Sequence, residues 1–93
     1  MEIIQENTDK GGAFKAREEE KRAGVMTYVW AGPGKLIIDH TEVEPSFSGK
    51  GVGKSLVESA VEFAREKNVK ILPLCTFAKS VFDKTPDFAD VLF

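Results

Sequence analysis

The hydrophobic pattern of the chain changes its period near residue 51, and this change limits the folds open to 93 residues. Before it, short β-branched and aromatic runs alternate with turn residues, which is typical of strands. After it, apolar residues such as Val52, Leu56 and Ala60 recur with the 3.6-residue period of a helix. Because a chain of this length supports one core, residues 1–93 are expected to form a single α/β domain.

These patterns predict four strands, a helix, a fifth strand and a short last helix. The strands are predicted at Glu2–Asn7, Phe14–Glu20, Val25–Trp30, Leu36–Val43 and Lys70–Leu74, and the helices from Gly51 to about Asn68 and from Thr76 to about Asp83. The first four strands should form an antiparallel meander, in which the heavily charged second strand lies at an edge. A right-handed crossover then makes the fifth strand parallel to the fourth. Asn68 is expected to end the long helix, and Thr76 to cap the short one.

Charge and composition exclude several classes of function. The formal net charge is −2, so no overall basic field indicates nucleic acid or an acidic membrane surface as a partner. No apolar run approaches the ~20 residues that span a bilayer, and the N-terminal residues do not have the pattern of a secretory signal, so a cytoplasmic location is expected. Cys75 is the one cysteine, and no CxxC pair or histidine cluster offers ligands for a metal.

Three glycines and two lysines lie within FSGKGVGKSL, residues 47–56, where the long helix begins. In such a turn the backbone N–H groups and the positive end of the helix dipole attract phosphate. The P-loop motif GxxxxGK[ST] would need glycine at position 48, which is Ser48. The dinucleotide-binding motif GxGxxG would need glycine at 54 or 56, where Lys54 and Leu56 stand. Neither motif therefore accounts for this turn.

The stretch VEPSFSGKGVGKSL, residues 43–56, resembles the acetyl-CoA-binding segment of the GCN5-related N-acetyltransferases. In that family a Val-x-Pro-x-aromatic lead precedes [Arg/Gln]-x-x-Gly-x-[Gly/Ala] at a helix N-terminus, and Gly51 and Gly53 fill the glycine positions here. Ser48 departs from the pattern at the Arg/Gln position, and Lys50 and Lys54 could replace part of that charge. The wider pattern HTxVxPxFxGKGVGxxLVxxA…LPLCxF…P is similar to the small, single-domain members of the family.

The resemblance implies acetyl-CoA as the acyl donor, with no metal. The pyrophosphate of coenzyme A would lie on the glycine turn, and the pantetheine arm would enter a wedge where the fourth and fifth strands splay apart. The implied binding residues are Thr41, Val43, Ser48, Gly49, Lys50, Gly51, Val52, Gly53 and Lys54. Pro73 cannot donate to a sheet ladder, so it marks either broken pairing at the wedge or an ordinary edge position.

His40 and Cys75 lie near the ends of those two strands, where the family delivers the thioester. Taken singly, each is more often structural than catalytic. Together, beside a coenzyme A motif, they are interpreted as a general base (His40) and as a nucleophile or proton donor (Cys75). Many family members use a tyrosine after the fifth strand as the acid, but the corresponding segment here has Phe77 and Phe82.

The predicted function is transfer of an acetyl group to an unidentified amine, either by direct attack or through an S-acetyl Cys75 intermediate. The main alternative is a non-catalytic acyl-CoA-binding or interaction module, and a nucleotide-phosphate binder is a weaker one. The family's acceptor-binding helices have no room between the first two strands, so the acceptor cannot be read from the sequence. A monomer or weak homodimer is expected.

Overall fold

The computed structural model describes residues 1–93, and its five strands form one sheet in the chain order β1-β2-β3-β4-β5. The elements are β1 Glu2–Asn7, β2 Gly11–Glu18, β3 Lys21–Trp30, β4 Lys35–Val43, α1 Val52–Lys67, β5 Lys70–Pro73 and α2 Thr76–Lys84, with 3-10 turns at Pro45–Phe47 and Pro86–Val91. Strands β1 to β4 pair antiparallel, and β5 pairs parallel to β4. The predicted fold class is confirmed, because α1 makes the crossover that a parallel fifth strand requires.

Both helices and the last 3-10 turn contact one another, so all three lie on the same face of the sheet. The apolar stripe of α1 is buried there against alternate strand residues. The central side chains of this layer are Met26, Tyr28, Leu36, Ile38, Leu56, Val57 and Val61. The other face carries no helix, and we call it the open face. Its side chains, among them Lys15, Val29 and His40, are exposed because successive strand residues alternate between the two faces.

The predicted edge position of the second strand is wrong. Strand β2 begins at Gly11 and pairs with β1 on one side and β3 on the other, so the sheet edges are β1 and β5. Glu19 and Glu20 lie in the tight turn between β2 and β3, with φ of 49° and 69°. Two-residue hairpin turns favour this left-handed conformation, and both side chains then extend into solvent. The acidic run therefore belongs to a hairpin turn.

The predicted end of the long helix is confirmed at Asn68. This residue has φ 57° and ψ 48°, and its N–H bonds to the carbonyls of Ala64 and Arg65. Asparagine tolerates this left-handed cap because its short polar side chain can hydrogen-bond locally. Helix α1 has 16 residues, and no helix of the protein has the length and apolarity needed to cross a membrane.

An aromatic group fills the space between α1 and the β1 side of the sheet. Phe63 of α1 lies 6.1 Å from Phe14 and 6.2 Å from Tyr28 between ring centroids. The buried Tyr28 hydroxyl accepts a hydrogen bond from Nε2 of Gln5 at 2.8 Å and donates to Oδ1 of Asn7. The tyrosine is thus fixed in the structure of the core and its hydroxyl is already engaged.

Candidate functional site

The glycine turn owes its shape to two left-handed residues. Gly49 has φ 78° and Gly51 has φ 76°, a region that residues with a side chain rarely adopt. Between them the N–H of Lys50 bonds to the carbonyl of Phe47, and just before them the exposed Ser48 donates its N–H to the carbonyl of Pro45. The chain therefore turns tightly from the first 3-10 turn into α1.

The first turn of α1 presents backbone donors that have no acceptor within the helix. The first helical bond runs from the N–H of Ser55 to the carbonyl of Gly51 at 3.0 Å, which leaves the N–H groups of residues 52–54 unpaired in the helix. No side chain caps them and no acidic residue lies in this turn. Lys50 and Lys54 are exposed and form no ion pair. This local positive charge suits a pyrophosphate group.

Gly53 has a packing role that the sequence did not reveal. A Cβ on Gly53 would lie 2.2 Å from Cζ of Phe77, so the aromatic ring occupies the space that a side chain would need. Phe77 comes from the first turn of α2 and remains 41% exposed. Gly53 thus allows the start of α2 to lie against the start of α1, beside the glycine turn.

Strands β4 and β5 separate after Ile38. Their last paired residues are Ile38 and Pro73, and the N–H groups of Leu74 and Cys75 then both bond to the single carbonyl of Ile38, at 3.0 and 3.1 Å. Strand β4 continues to Val43 without a partner on that side. The structure therefore contains a wedge between the two strands, open from residue 39 onward.

A β-bulge in β4 coincides with the opening of the wedge. Tyr28 pairs with Ile38 and Thr27 with His40, so Asp39 is an extra residue in β4. The hydroxyl of Thr27 donates to Oδ1 of Asp39 at 2.7 Å. Because one residue is inserted, the alternation of side chains between the faces changes phase at this point.

The phase change determines where the predicted residues of β4 point. Before the bulge, Ile38 faces the core and offers its carbonyl to the β5 side. After it, Thr41 pairs with the buried Met26 and so faces the core, and Val43, two residues on, does the same. The backbone groups of Thr41 and Val43 are then directed into the wedge, since side-chain direction and backbone hydrogen-bonding direction alternate together in a strand.

Pro73 is explained by its position at the sheet edge. The N–H groups of Lys70 and Leu74 bond to carbonyls at the β4 side, so the nitrogen of Pro73, at odd spacing from them, faces away from β4. An edge strand tolerates proline in that orientation. The proline therefore costs no hydrogen bond to β4, and the bulge at Asp39 marks the wedge.

Cys75 occupies the N-cap position of α2, and the predicted cap at Thr76 is wrong by one residue. The carbonyl of Cys75 accepts the first helical bond, from Lys79, while Thr76 is already helical. Partial burial raises the pKa of the Cys75 thiol, but the donors near the sulfur, which are the Thr41 hydroxyl and the backbone N–H groups of Ala78, Phe77 and Thr41, outweigh it. The pKa therefore lies below its ordinary value, which favours the thiolate.

His40 and Cys75 lie beside the same wedge but on different faces of the sheet. Thr41 lies near the Cys75 sulfur on the core face, and His40, its neighbour in β4, points to the open face. The His40 side chain is 61% exposed, and its Nε2 lies 3.5 Å from Oε2 of Glu42. No group of three or more His, Cys, Asp or Glu side chains could hold a metal ion.

A mixed five-stranded sheet, a glycine turn that opens the crossover helix and a wedge beside that helix together define the fold of N-acetyltransferases. Residues 13–91 match the model of the family described as GCN5-related N-acetyl-transferase. The chain belongs to this family.

The chain is also similar to individual proteins. The solution structure of a GCN5-like protein from Staphylococcus aureus is 35% identical, with a TM-score of 0.77, over 99% of this chain and 87% of that one. Protein NATD1 of Xenopus tropicalis is 29% identical over 62 residues, which are 67% of this chain and 57% of the frog protein. A Bacillus anthracis protein crystallised in complex with acetyl coenzyme A is 22% identical, with a TM-score of 0.62, over 72% of this chain and 39% of that one. At this identity the last comparison supports the fold.

Proposed function

We propose that this protein binds acetyl-CoA and transfers its acetyl group to an amine. The observation that carries the proposal is the continuity of three features along one side of β4. These are the unpaired N–H groups at the start of α1, the free backbone edge of β4 and the Cys75 thiol at the end of the wedge. Acetyl-CoA needs the same three things in the same order, because it carries a pyrophosphate, an amide-containing arm and a thioester.

In this proposal the pyrophosphate lies on Ser48–Lys54, with the charges of Lys50 and Lys54 nearby. Backbone N–H groups carry most of the contact, so the absence of the family's Arg or Gln at Ser48 weakens the site without removing it. The amides of the pantetheine arm bond to the free edge of β4 at Thr41 and Val43. The crystallised complex of a protein with this fold and acetyl coenzyme A supports the choice of donor.

Two routes lead from the thioester to the product. In the direct route the amine nitrogen attacks the carbonyl carbon, His40 takes the proton from nitrogen, and the C–S bond breaks to release the coenzyme A thiolate. In the second route, the Cys75 thiolate, whose proton has gone to solvent, attacks first through Sγ, the same C–S bond breaks, and the released coenzyme A thiolate takes up a proton from solvent. The amine then attacks the S-acetyl carbon, the bond from that carbon to Sγ of Cys75 breaks, the amine loses its proton to His40, and Cys75 is regenerated as the thiolate.

The two residues serve different sides of the wedge. Cys75 approaches the thioester from the core face, where its pKa is already lowered. His40 faces solvent on the open face, where an acceptor amine can approach without displacing a helix. We therefore assign the acceptor to the open face in both routes. The Tyr28 hydroxyl, engaged with Gln5 and Asn7, is not the acid of either route.

Intact-protein mass spectrometry after incubation with acetyl-CoA tests the second route. The expected result is one added acetyl group that hydroxylamine removes and that Cys75→Ala and Cys75→Ser both abolish. Each variant should still bind coenzyme A, because the proposed contacts of the pyrophosphate lie on the glycine turn. An adduct on lysine, or transfer to an amine with no Cys75 adduct, would leave direct attack as the mechanism.

Backbone amide shifts during titration with coenzyme A test the binding site itself. The amides of residues 49–54 should move together and saturate, whereas those of the distant turn at Gly32 and Gly34 serve as the internal control. Unmoved amides in residues 49–54 at saturation would contradict the proposed site. Binding without acetyl transfer to a broad panel of amines would favour a non-catalytic acyl-CoA-binding module, and tighter binding of ATP or GTP a nucleotide-phosphate binder.

A further inference from the structure

The side-chain oxygen of Thr41 is the one buried side-chain polar atom in the protein that has no hydrogen-bond partner. Buried hydroxyls are nearly always paired, because leaving one without a partner costs its hydration. The orphaned atom lies in β4, two residues past the bulge at Asp39 and beside the wedge. The partner expected for this hydroxyl is therefore a neighbouring group whose ability to accept a hydrogen bond changes with its charge.

The neighbouring group that can accept a hydrogen bond is the sulfur of Cys75. After Ile38 the chain leaving β5 stays bound to β4 through the N–H groups of Leu74 and Cys75, which keeps the cysteine beside the core-facing Thr41. No hydrogen bond satisfies the hydroxyl in the structure, and a neutral thiol is only a weak acceptor. A thiolate is a strong acceptor and would complete one.

We propose that Thr41 is a positioning residue for acyl transfer, whose hydroxyl donates a hydrogen bond to Sγ of Cys75 when that sulfur carries negative charge. The inference rests on the proposed function and assigns a role to the Thr41 side chain, apart from the backbone contacts of the same residue with the donor. In the Cys75 route the sulfur is negatively charged before it attacks and again when the acetyl group departs. The hydroxyl stabilises it at both points.

Other groups near the sulfur do not substitute for this hydroxyl. The N–H groups of Ala78, Phe77 and Thr41 itself also lower the pKa of Cys75, but as backbone donors they remain in every side-chain variant of Thr41. The charged and titratable side chains that flank the wedge are exposed, and none is among the principal causes of the shift. They include Asp39, His40 and Glu42 of β4, Lys54 of α1, and Lys79 of α2.

The test is the rate of alkylation of Cys75 by iodoacetamide as a function of pH, in the full chain and without acetyl-CoA. Thr41→Val removes the hydroxyl and keeps the shape, and its alkylation midpoint should rise by about one pH unit, with ~10-fold less thiolate at neutral pH. Thr41→Ser keeps the hydroxyl and should retain the original midpoint. Thr76→Val makes the same change at an exposed neighbour of Cys75 and should also leave the midpoint unchanged.

An unchanged midpoint in Thr41→Val would overturn the proposal, and so would an equal rise in Thr41→Ser, because the effect would then come from packing. If Thr41→Val does not fold, Thr41→Ala provides the same comparison. Alkylation needs no acetyl-CoA, so this test can fail or succeed independently of the proposed function. If the wild-type protein transfers no acetyl group but Thr41→Val still shifts the midpoint, the proposed function is contradicted. If the wild-type protein forms the S-acetyl adduct but Thr41→Val does not shift the midpoint, the role of Thr41 is contradicted.

Discussion

Gly53→Ala should destabilise the protein when Phe77 is present and stabilise it when Phe77 is absent. The new Cβ would lie 2.2 Å from Cζ of Phe77, whereas ordinary contact begins at 3.4 Å, so the ring must retreat by about 1.2 Å. Overpacking costs about 1–3 kcal/mol in a fixed core, and we expect about 1.5 kcal/mol here because the ring is 41% exposed and can turn toward solvent. Against this, alanine is better than glycine in a helix by up to about 1 kcal/mol.

The expected free energy of unfolding therefore falls by about 0.5 kcal/mol in Gly53→Ala and rises by about 0.5–1 kcal/mol when the same change is made in Phe77→Ala. Urea unfolding of the four proteins of this double-mutant cycle measures the coupling, which should be about 1–1.5 kcal/mol. An equal effect of Gly53→Ala in both backgrounds, within the ~0.3 kcal/mol of ordinary additivity, would refute the reasoning, because the ring would then give way freely.

The same four proteins separate two causes of any loss in coenzyme A affinity. If the alanine acts by displacing the ring, the loss should disappear in the Phe77→Ala background. If the Cβ obstructs the approach of phosphate to the backbone, the loss should persist there. Gly51→Ala is the matched comparison, because a Cβ on Gly51 meets nothing within 4 Å and its strain comes from φ 76° alone.

Three further predictions concern the site, the core and the surface. His40→Ala should lower turnover of an acetyl acceptor by ~10²-fold with coenzyme A affinity nearly intact, and unchanged turnover would return His40 to a structural role. Tyr28→Phe should cost about 1 kcal/mol of stability in thermal unfolding, because the buried hydroxyl that pairs with Asn7 is removed, and no loss would show that water replaces it. Arg65 bonds to both carboxylate oxygens of Asp90 and thereby lowers the pKa of that carboxyl. The pair therefore stabilises the fold above the ordinary pKa of aspartate, and this stabilisation is lost as pH falls through the lowered pKa. The difference in unfolding free energy between wild type and Arg65→Gln should accordingly vanish in acid. A difference that persists in acid would show that it does not come from this ion pair.

Much of the fold was predictable because its signals are local. The β-branched run Val25–Trp30 and the period of α1 are readable over a few residues, and the parallel β5 follows from the crossover rule. The hairpin turn at Glu19 and Glu20 was missed, because glutamate is uncommon in left-handed turns and the surrounding charges favoured an edge strand.

The site was predictable only as far as its motif extends. The glycine turn has a local sequence motif. The contact of Phe77 with Gly53 joins residues of two helices that are far apart in the sequence, so no local pattern predicts it. The bulge at Asp39 was also hidden, because the polar residues of LIIDHTEV suit either face after Ile38. Because the sequence pattern does not reveal the bulge, it does not determine which of His40 and Thr41 faces the core.

The extra residue at Asp39 shifts the alternation of side-chain directions in β4 by one position. Ile38 before it and Thr41 after it both face the core, whereas His40 faces the open side. Deletion of Asp39 would therefore leave a regular strand in which these three directions are unchanged, because Ile38, His40 and Thr41 would then alternate as consecutive residues. The inserted residue instead adds one residue of length and one exposed carboxylate at the point where the wedge opens.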